Sequence, residues 1–271
     1  MARAAGGGIS LKYEVSGAGD PVVLIHGALI ADAFRPLFKE PSLTGYRLIA
    51  YHRRGYTGSI PTAGPISLEE QASDCGALMR HLGVRGAHVV GHSFGGAVAL
   101  QLALDAPELV HSLALLEPAL MVGASGAPYR ASLEQAIRHF HERESSAAVD
   151  EMLQARWPGY RPGLESVLPG SFDAAVADAS VAFDTELPGL FEWRFAEEEA
   201  KRIIQPVLSV LGAESGALSP RFAEAHQWLL ATMPDAEGYV VPNAHHFLQV
   251  ENPSGMAAAL ANFFNRHPLH D

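Results

Sequence analysis

Cysteine is nearly missing from these 271 residues, with Cys75 standing alone. One thiol excludes an intramolecular disulfide and fits a reducing compartment, so a cytoplasmic location is expected. Basic residues are scarce too, 19 Lys and Arg against 30 Asp and Glu, for a net charge of -11. A phosphate-backbone binder needs a basic face, so no nucleic-acid partner is expected. Long apolar runs are also lacking. The longest such stretch, Leu113 to Ala124, is broken by Glu117 and Pro118 and falls short of the ~20 residues of a spanning helix. The opening Met1 to Gly8 has one positive charge and no apolar core behind it, which does not fit a secretory signal. Ala2 stands where myristoylation needs glycine, and no prenylation box closes the chain. No membrane contact is expected. Repeats and low-complexity tracts are absent, and nothing in the sequence speaks to oligomeric state.

What is plentiful is apolar surface to bury. Hydrophobic residues make up 48% and charged residues 18%, which excludes a disordered chain. Chains of this length hide roughly 75% of their unfolded surface. Length alone leaves one domain or two open.

Ile9 to Ser16 alternates apolar and polar residues, the pattern of a half-buried strand. Continuous apolar runs at Pro21–Gly27, Arg47–Tyr51, Ala87–Gly91, Ser112–Glu117, Pro206–Leu211 and Tyr239–Pro242 suit strands buried on both faces. Between them lie helical patterns. Ser67 to Glu70 forms a capping box, and behind it Leu68, Ala72, Cys75, Leu78, Met79 and Leu82 share one face. Cys75 therefore reads as core packing. Strands alternating with helices imply an α/β fold with a mainly parallel sheet. One segment departs from this. From about 120 to 203 no strand pattern occurs, and Ser132–Glu142, Ala147–Trp157, Ser171–Glu186 and Ala196–Ile203 read as helices. Pro-Gly joints at Pro158, Pro162, Pro169 and Pro188 punctuate them. A helical cap over residues 120–203, inserted into a core of 1–119 and 204–271, is expected.

The chemistry centres on Gly91-His92-Ser93-Phe94-Gly95, which ends an apolar strand and opens a helix expected over Phe94–Ala106. This is G-x-S-x-G, the nucleophile elbow. Ser93 must occupy a strained turn, and side chains at 91 or 95 would collide with neighbouring backbone. A helix N-terminus there aims free N–H groups at developing negative charge.

With this motif the chain resembles the α/β-hydrolase fold superfamily, specifically its capped serine hydrolases, over nearly its whole length. His26-Gly27 looks like the family's oxyanion loop. The resemblance implies backbone N–H donors at Ala28 and Phe94 and a structural role for His26. Pro242 to Pro253 resembles the family's P-G-A-G-H-F-x-x-x-E-x-P segment, which puts the general base on His246 and places His245 at the usual glycine. The acid departs from the pattern. After the strand ending at Leu211 the family reads G-x-x-D, whereas this chain reads Gly212-Ala213-Glu214-Ser215. Glu117, at the end of the strand after the nucleophile helix, is the preferred acid, as in superfamily members that take it from that strand end; Glu214 is the alternative. Tyr51 to Ser59 looks like the family's D-x-R-G-x-G-x-S loop, with His52 for the aspartate and Thr57 for a glycine. Arg53, Arg54 and Gly55 read as structural, the competing reading being a basic patch for an anionic substrate.

Adjacent His245 and His246 point apart on an extended chain, His139 and His141 face apart on a helix, and no HExxH occurs. Neither a metal nor an organic cofactor is implied. A serine nucleophile favours acyl chemistry. The expected function is hydrolysis of a carboxylic ester or lactone of a hydrophobic small molecule, through an acyl-enzyme on Ser93. Two alternatives remain: a carbon–carbon hydrolase of ring-cleavage products, and a ligand receptor on the same fold.

Overall fold

The computed structural model describes residues 2–6, 9–62 and 64–269. Among these residues eight strands form one sheet: β1 (Ala2–Gly6), β2 (Ile9–Ser16), β3 (Asp20–Ile25), β4 (Tyr46–Tyr51), β5 (Ala87–His92), β6 (Val110–Leu116), β7 (Val207–Gly212) and β8 (Ala236–Val241). Their order is β1-β2-β4-β3-β5-β6-β7-β8. β1 and β2 pair antiparallel, β2 runs antiparallel to β4, and every pair from β4 to β8 is parallel.

The inner strands are apolar throughout because both faces are covered. Val23, Ile25, Ile49, Val89, Leu113 and Leu115 turn to one face, and Val22, Leu24, Leu48, Val90, Ala114 and Leu116 to the other. That is the two-residue period of a pleated strand. On the first face pack helix α1 (Leu68–His81), through Leu68, Ala72, Cys75, Leu78 and Met79, and helix α2 (Phe94–Asp105), through Val98 and Leu102. The other face is covered by the terminal helix Pro253–Arg266, through Met256, Leu260, Phe263 and Phe264. The capping box read from the sequence is present: the Ser67 side chain accepts from the Glu70 N–H, and the Glu70 carboxylate accepts from the Ser67 N–H.

Between β6 and β7 every regular element is helical: α3 (Gly126–Glu142), α4 (Ser145–Gln154), α5 (Tyr160–Val167), α6 (Ser171–Ala177), a π-helical turn over Val181–Glu186, α7 (Leu187–Glu192) and α8 (Glu197–Arg202). The expected helix Ser171–Glu186 is interrupted at Asp178, with φ -97° and ψ 10°, and goes on into the π-helical turn; the Asp178 carboxylate accepts the Thr57 N–H at 3.2 Å. Pro162-Gly163 and Pro188-Gly189 are not joints but lie within the first turns of α5 and α7. At Pro162 no hydrogen bond is lost, since the first helical N–H groups have no intrahelical acceptor, whereas α7 continues directly from the π-helical turn. β1 was not foreseen either, since alanine and glycine carry little strand signal and only pairing with β2 makes them a strand.

The helical segment rests closely on the sheet's loops at Gly189, where a Cβ would lie 1.9 Å from the Ile66 carbonyl oxygen. Gly189→Ala is therefore expected to force α7 off that loop at a cost of about 1–3 kcal/mol. Thermal unfolding checks this; a midpoint lowered by several degrees is the expected outcome.

Candidate active site

The residues singled out from the sequence converge where the parallel strands end, at the carboxyl edge of the sheet, where ligand crevices of α/β folds form. Ser93 sits between β5 and α2 with φ 52° and ψ -118°. The left-handed region is costly for a residue with a Cβ, and the neighbours explain how it is held. A Cβ on Gly95 would lie 2.1 Å from the Ile25 carbonyl oxygen, and one on Gly91 would lie 2.4 Å from that of Gly95. Only glycine lets β5, α2 and the end of β3 approach this closely. The turn is tied down by Ser93 N–H to Leu116 O and by Ala119 N–H to Ser93 O, both 2.9 Å.

Glu117 follows β6 and is also left-handed, with φ 44°. That twist aims its carboxylate across the strand ends. Oε2 meets Nδ1 of His246 at 2.7 Å, and Oε1 accepts the Gly212 N–H at 2.8 Å. Both side chains of the pair are only 1% exposed, so the contact is made out of water. Glu214 is exposed on the loop after β7 and makes no contact with either histidine side chain among those described. Ser215, at the position where the resemblance expects an aspartate, is buried beside Glu117.

The backbone of His246 is held from both sides. Its carbonyl accepts from Nε2 of His92 at 2.7 Å, and its N–H donates to the Arg156 carbonyl at 3.3 Å. Phe222 lies against the ring, 5.0 Å between centroids. His245 points elsewhere: its Nδ1 and its N–H both meet the Glu251 carboxylate, at 2.9 and 3.0 Å. Ser93, His246, Ala28 and Phe94 line one cavity, closed over by Tyr129, Met152, Leu153 and Arg156 from the helical segment. It measures about 20 Å³, room for about one water.

Arg53 anchors the loop carrying Ala28. Its guanidinium donates to Gly27 O at 2.9 Å, His26 O at 3.0 Å and Gln71 at 2.7 Å, and it pairs with Glu186 on the π-helical turn. Glu186 also accepts from the Tyr56 hydroxyl at 2.9 Å, and that hydroxyl accepts the Leu29 N–H at 3.0 Å. Although burial works the other way, Glu186 lifts Arg53 above its ordinary pKa, so this buried cation stays charged. Arg54 is bound in the same structural sense by Asp74, at 2.7 and 2.8 Å. Neither arginine is left to meet a substrate. Cys75 is buried, its thiol pushed up by burial to about 12 and so unfit as a nucleophile at neutral pH.

The family model for the alpha/beta hydrolase fold matches residues 20–253 of this sequence. The chain belongs to the α/β-hydrolase fold family. A relative from Cupriavidus necator, a dihydrolipoyllysine-residue acetyltransferase component of an acetoin cleaving system, is 30% identical over 93% of this chain. The chain spans 66% of that relative's length. Among solved structures, a thermophilic esterase from Thermogutta terrifontis with malate bound superposes with a TM-score of 0.83 at 22% identity, covering 99% of this chain and all of the esterase. An enol-lactonase from Burkholderia xenovorans gives 0.77 at 20% identity, with 97% and 100% covered. At such identities these two likenesses speak to fold alone. No helix among the described residues is long and apolar enough to cross a membrane.

Within this α/β-hydrolase the sequence reading passed over Glu186, Arg156 and Arg221, which follow no local pattern and matter only through tertiary contact. His92 lay inside the serine motif, yet its bond to the His246 carbonyl could not be foreseen from spacing.

Burial, reinforced by the Arg221 and Arg156 guanidiniums, holds the His246 imidazole well below its ordinary pKa. Burial pushes Glu117 up, opposed by Ser215, the Gly212 N–H and Arg221. A protonated His246 cannot accept a proton, so a base role fails only below its own pKa. For a neutral ester, kcat/KM is expected to stay flat through neutral pH and to fall only well below about 6.5, the free-imidazole value. A midpoint at or above that value in the pH profile would contradict this placement. Glu186→Gln leaves Arg53 uncompensated and is expected to cost about 3–5 kcal/mol, measured by denaturant unfolding.

Proposed function

We propose that this chain is a serine hydrolase that cleaves a carboxylic ester or lactone of a small molecule through an acyl-enzyme on Ser93. The observation that carries the reading is the buried 2.7 Å contact between Glu117 and His246 Nδ1, made beside Ser93 in one cavity. With Nδ1–H donated to Glu117, the neutral ring leaves Nε2 as the free base.

Ser93 Oγ attacks the substrate carbonyl carbon while its proton passes to His246 Nε2. The carbonyl π pair moves onto oxygen, and the N–H groups of Ala28 and Phe94 receive that oxyanion. The tetrahedral intermediate collapses, the bond to the alcohol oxygen breaks, and the imidazolium returns its proton to that oxygen. Water then attacks the acyl-enzyme with the same base and releases the acid and Ser93. Glu117 holds the ring in the needed tautomer and stabilises the imidazolium without taking the proton.

The helical segment, residues 120–203, serves as a cap on a catalytic core made of 1–119 and 204–271. Tyr129, Met152, Leu153 and Arg156 support this role, since all four stand over Ser93. With room for about one water, the site as it stands is too small for an acyl group, and a cap that shifts to admit substrate fits this closure. The serine nucleophile favours the ester or lactone class.

A panel of aryl esters, lactones and ring-fission dienones, with Ser93→Ala as control, tests the reading. Wild type is expected to turn over members of the ester or lactone set, to be labelled on Ser93 by a fluorophosphonate, and to lose both properties in Ser93→Ala. Glu117→Gln is expected to lower kcat by about 10³–10⁴, whereas Glu214→Gln stays near wild type. The reverse ranking would move the acid to Glu214.

A further inference from the structure

Next to the water-sized space over Ser93 lies a second cavity of about 400 Å³, and Tyr129 and Arg156 line both. That volume accommodates a substantial part of a small molecule. Its walls come from the start of α3, the residues just after α4 and the start of α9 (Pro220–Thr232). Two guanidiniums belong to the lining, Arg156 and Arg221, and no acidic side chain does. In a chain where acidic residues outnumber basic ones 30 to 19, this is a local inversion of charge.

Neither arginine forms an ion pair among the described residues, in contrast to Arg53 and Arg54. Arg156 is half-buried and spends one donor on the Met152 carbonyl, at 2.8 Å. Burial and the nearby Arg221 lower it to about 10, partly offset by Tyr129, so it remains a cation at neutral pH. The Arg221 guanidinium lies over two rings, 4.0 Å from the Tyr129 centroid and 3.7 Å from that of Phe222. Stacking fixes its plane yet leaves its in-plane N–H donors unused. Glu224 comes near but accepts the Ser125 N–H at 2.8 Å and does not line the cavity. The positive ends of α3 and α9 open onto the same space and add to its field.

Both cations also face His246, where they oppose the imidazolium that proton abstraction creates. An uncharged substrate leaves that opposition in place, and an anion seated between the guanidiniums removes it.

We propose that this cavity is a receptor for a carboxylate on the substrate, gripped by Arg156 and Arg221, so that anionic esters or lactones are hydrolysed in preference to neutral ones. The planar guanidinium matches a carboxylate with two parallel N–H donors. This inference rests on the serine-hydrolase reading and narrows its substrate class from hydrophobic to amphipathic, with one anionic end.

Two esters of equal acyl length test it, 4-nitrophenyl hemiglutarate and 4-nitrophenyl valerate, which differ by a carboxylate in place of a methyl group. Wild type is expected to favour the hemiglutarate in kcat/KM by about 10- to 100-fold, the range for one or two charge-assisted hydrogen bonds. Arg156→Gln and Arg221→Gln should each lower that ratio about tenfold or more, and Arg156→Lys and Arg221→Lys should keep most of it. A wild-type ratio at or below one, or a ratio unmoved in both glutamine variants, overturns the proposal. Unfolding midpoints identify a variant that fails to fold, in which case glutarate inhibition of wild-type valerate hydrolysis decides. Competitive inhibition by glutarate, stronger than by inorganic phosphate, supports the carboxylate receptor, and the opposite order overturns it. Should neither ester be turned over, nor any member of the ester and lactone panel, the hydrolase reading itself fails. Calorimetry of glutarate with the Ser93→Ala protein then judges the receptor separately: measurable binding supports it, and none overturns it.

Discussion

One hydrogen bond organises the site: the Glu117 carboxylate on Nδ1 of His246, both side chains shut off from water. A buried carboxylate without partners is costly, and here each oxygen has one, His246 for Oε2 and the Gly212 N–H for Oε1. Meeting both requires the chain to leave β6 with a left-handed residue, and it requires a glycine at 212, where a Cβ would lie 2.5 Å from the Ala244 carbonyl oxygen. Among the described residues, the four non-glycine ones with positive φ, Leu29, Ser93, Glu117 and Asn243, all stand in loops at the carboxyl ends of strands. Such strain, of order 1–3 kcal/mol each, persists only where surrounding packing overdetermines it. The two apolar layers on the sheet supply that packing.

A second constraint runs between the helical segment and the loop that carries Ala28. Glu186 reaches down from the π-helical turn to Arg53 and Tyr56, and these hold Gly27, His26 and Leu29. The geometry of the loop is thus coupled to the seating of the segment above it. Under the proposed cap role, opening would either carry this network along or hinge elsewhere, and the tight approach at Gly189 argues that the region near α7 stays fixed. Motion would then fall to α3 and α4, which bring Tyr129, Met152 and Leu153 over the serine.

Much of this was legible in the sequence because it is local. Apolar runs marked the buried strands, the capping box marked the start of α1, and the glycines around Ser93 marked a turn that tolerates no other residue. Glu117 was legible as a carboxylate ending a buried strand, where a charge needs a partner. What escaped was non-local. β1 exists only through its partner strand, and the Pro-Gly pairs at 162 and 188 mark helix starts as readily as joints. Arg53 could be read as an anion site or as structure, and only Glu186, 133 residues away, decides for structure. Arg156 and Arg221 carry no pattern, yet they give the space beside Ser93 a positive field within an acidic chain.

In the proposed mechanism, neutral His246 keeps its proton on Nδ1 because the Glu117 carboxylate accepts it. Proton NMR in water tests this directly, since a strongly hydrogen-bonded, buried Nδ1–H gives a resolved low-field resonance. That resonance is expected in the resting protein at neutral pH, with its loss or marked upfield shift in Glu117→Gln and its retention in Glu214→Gln. A resonance untouched by Glu117→Gln, or abolished by Glu214→Gln, would contradict it.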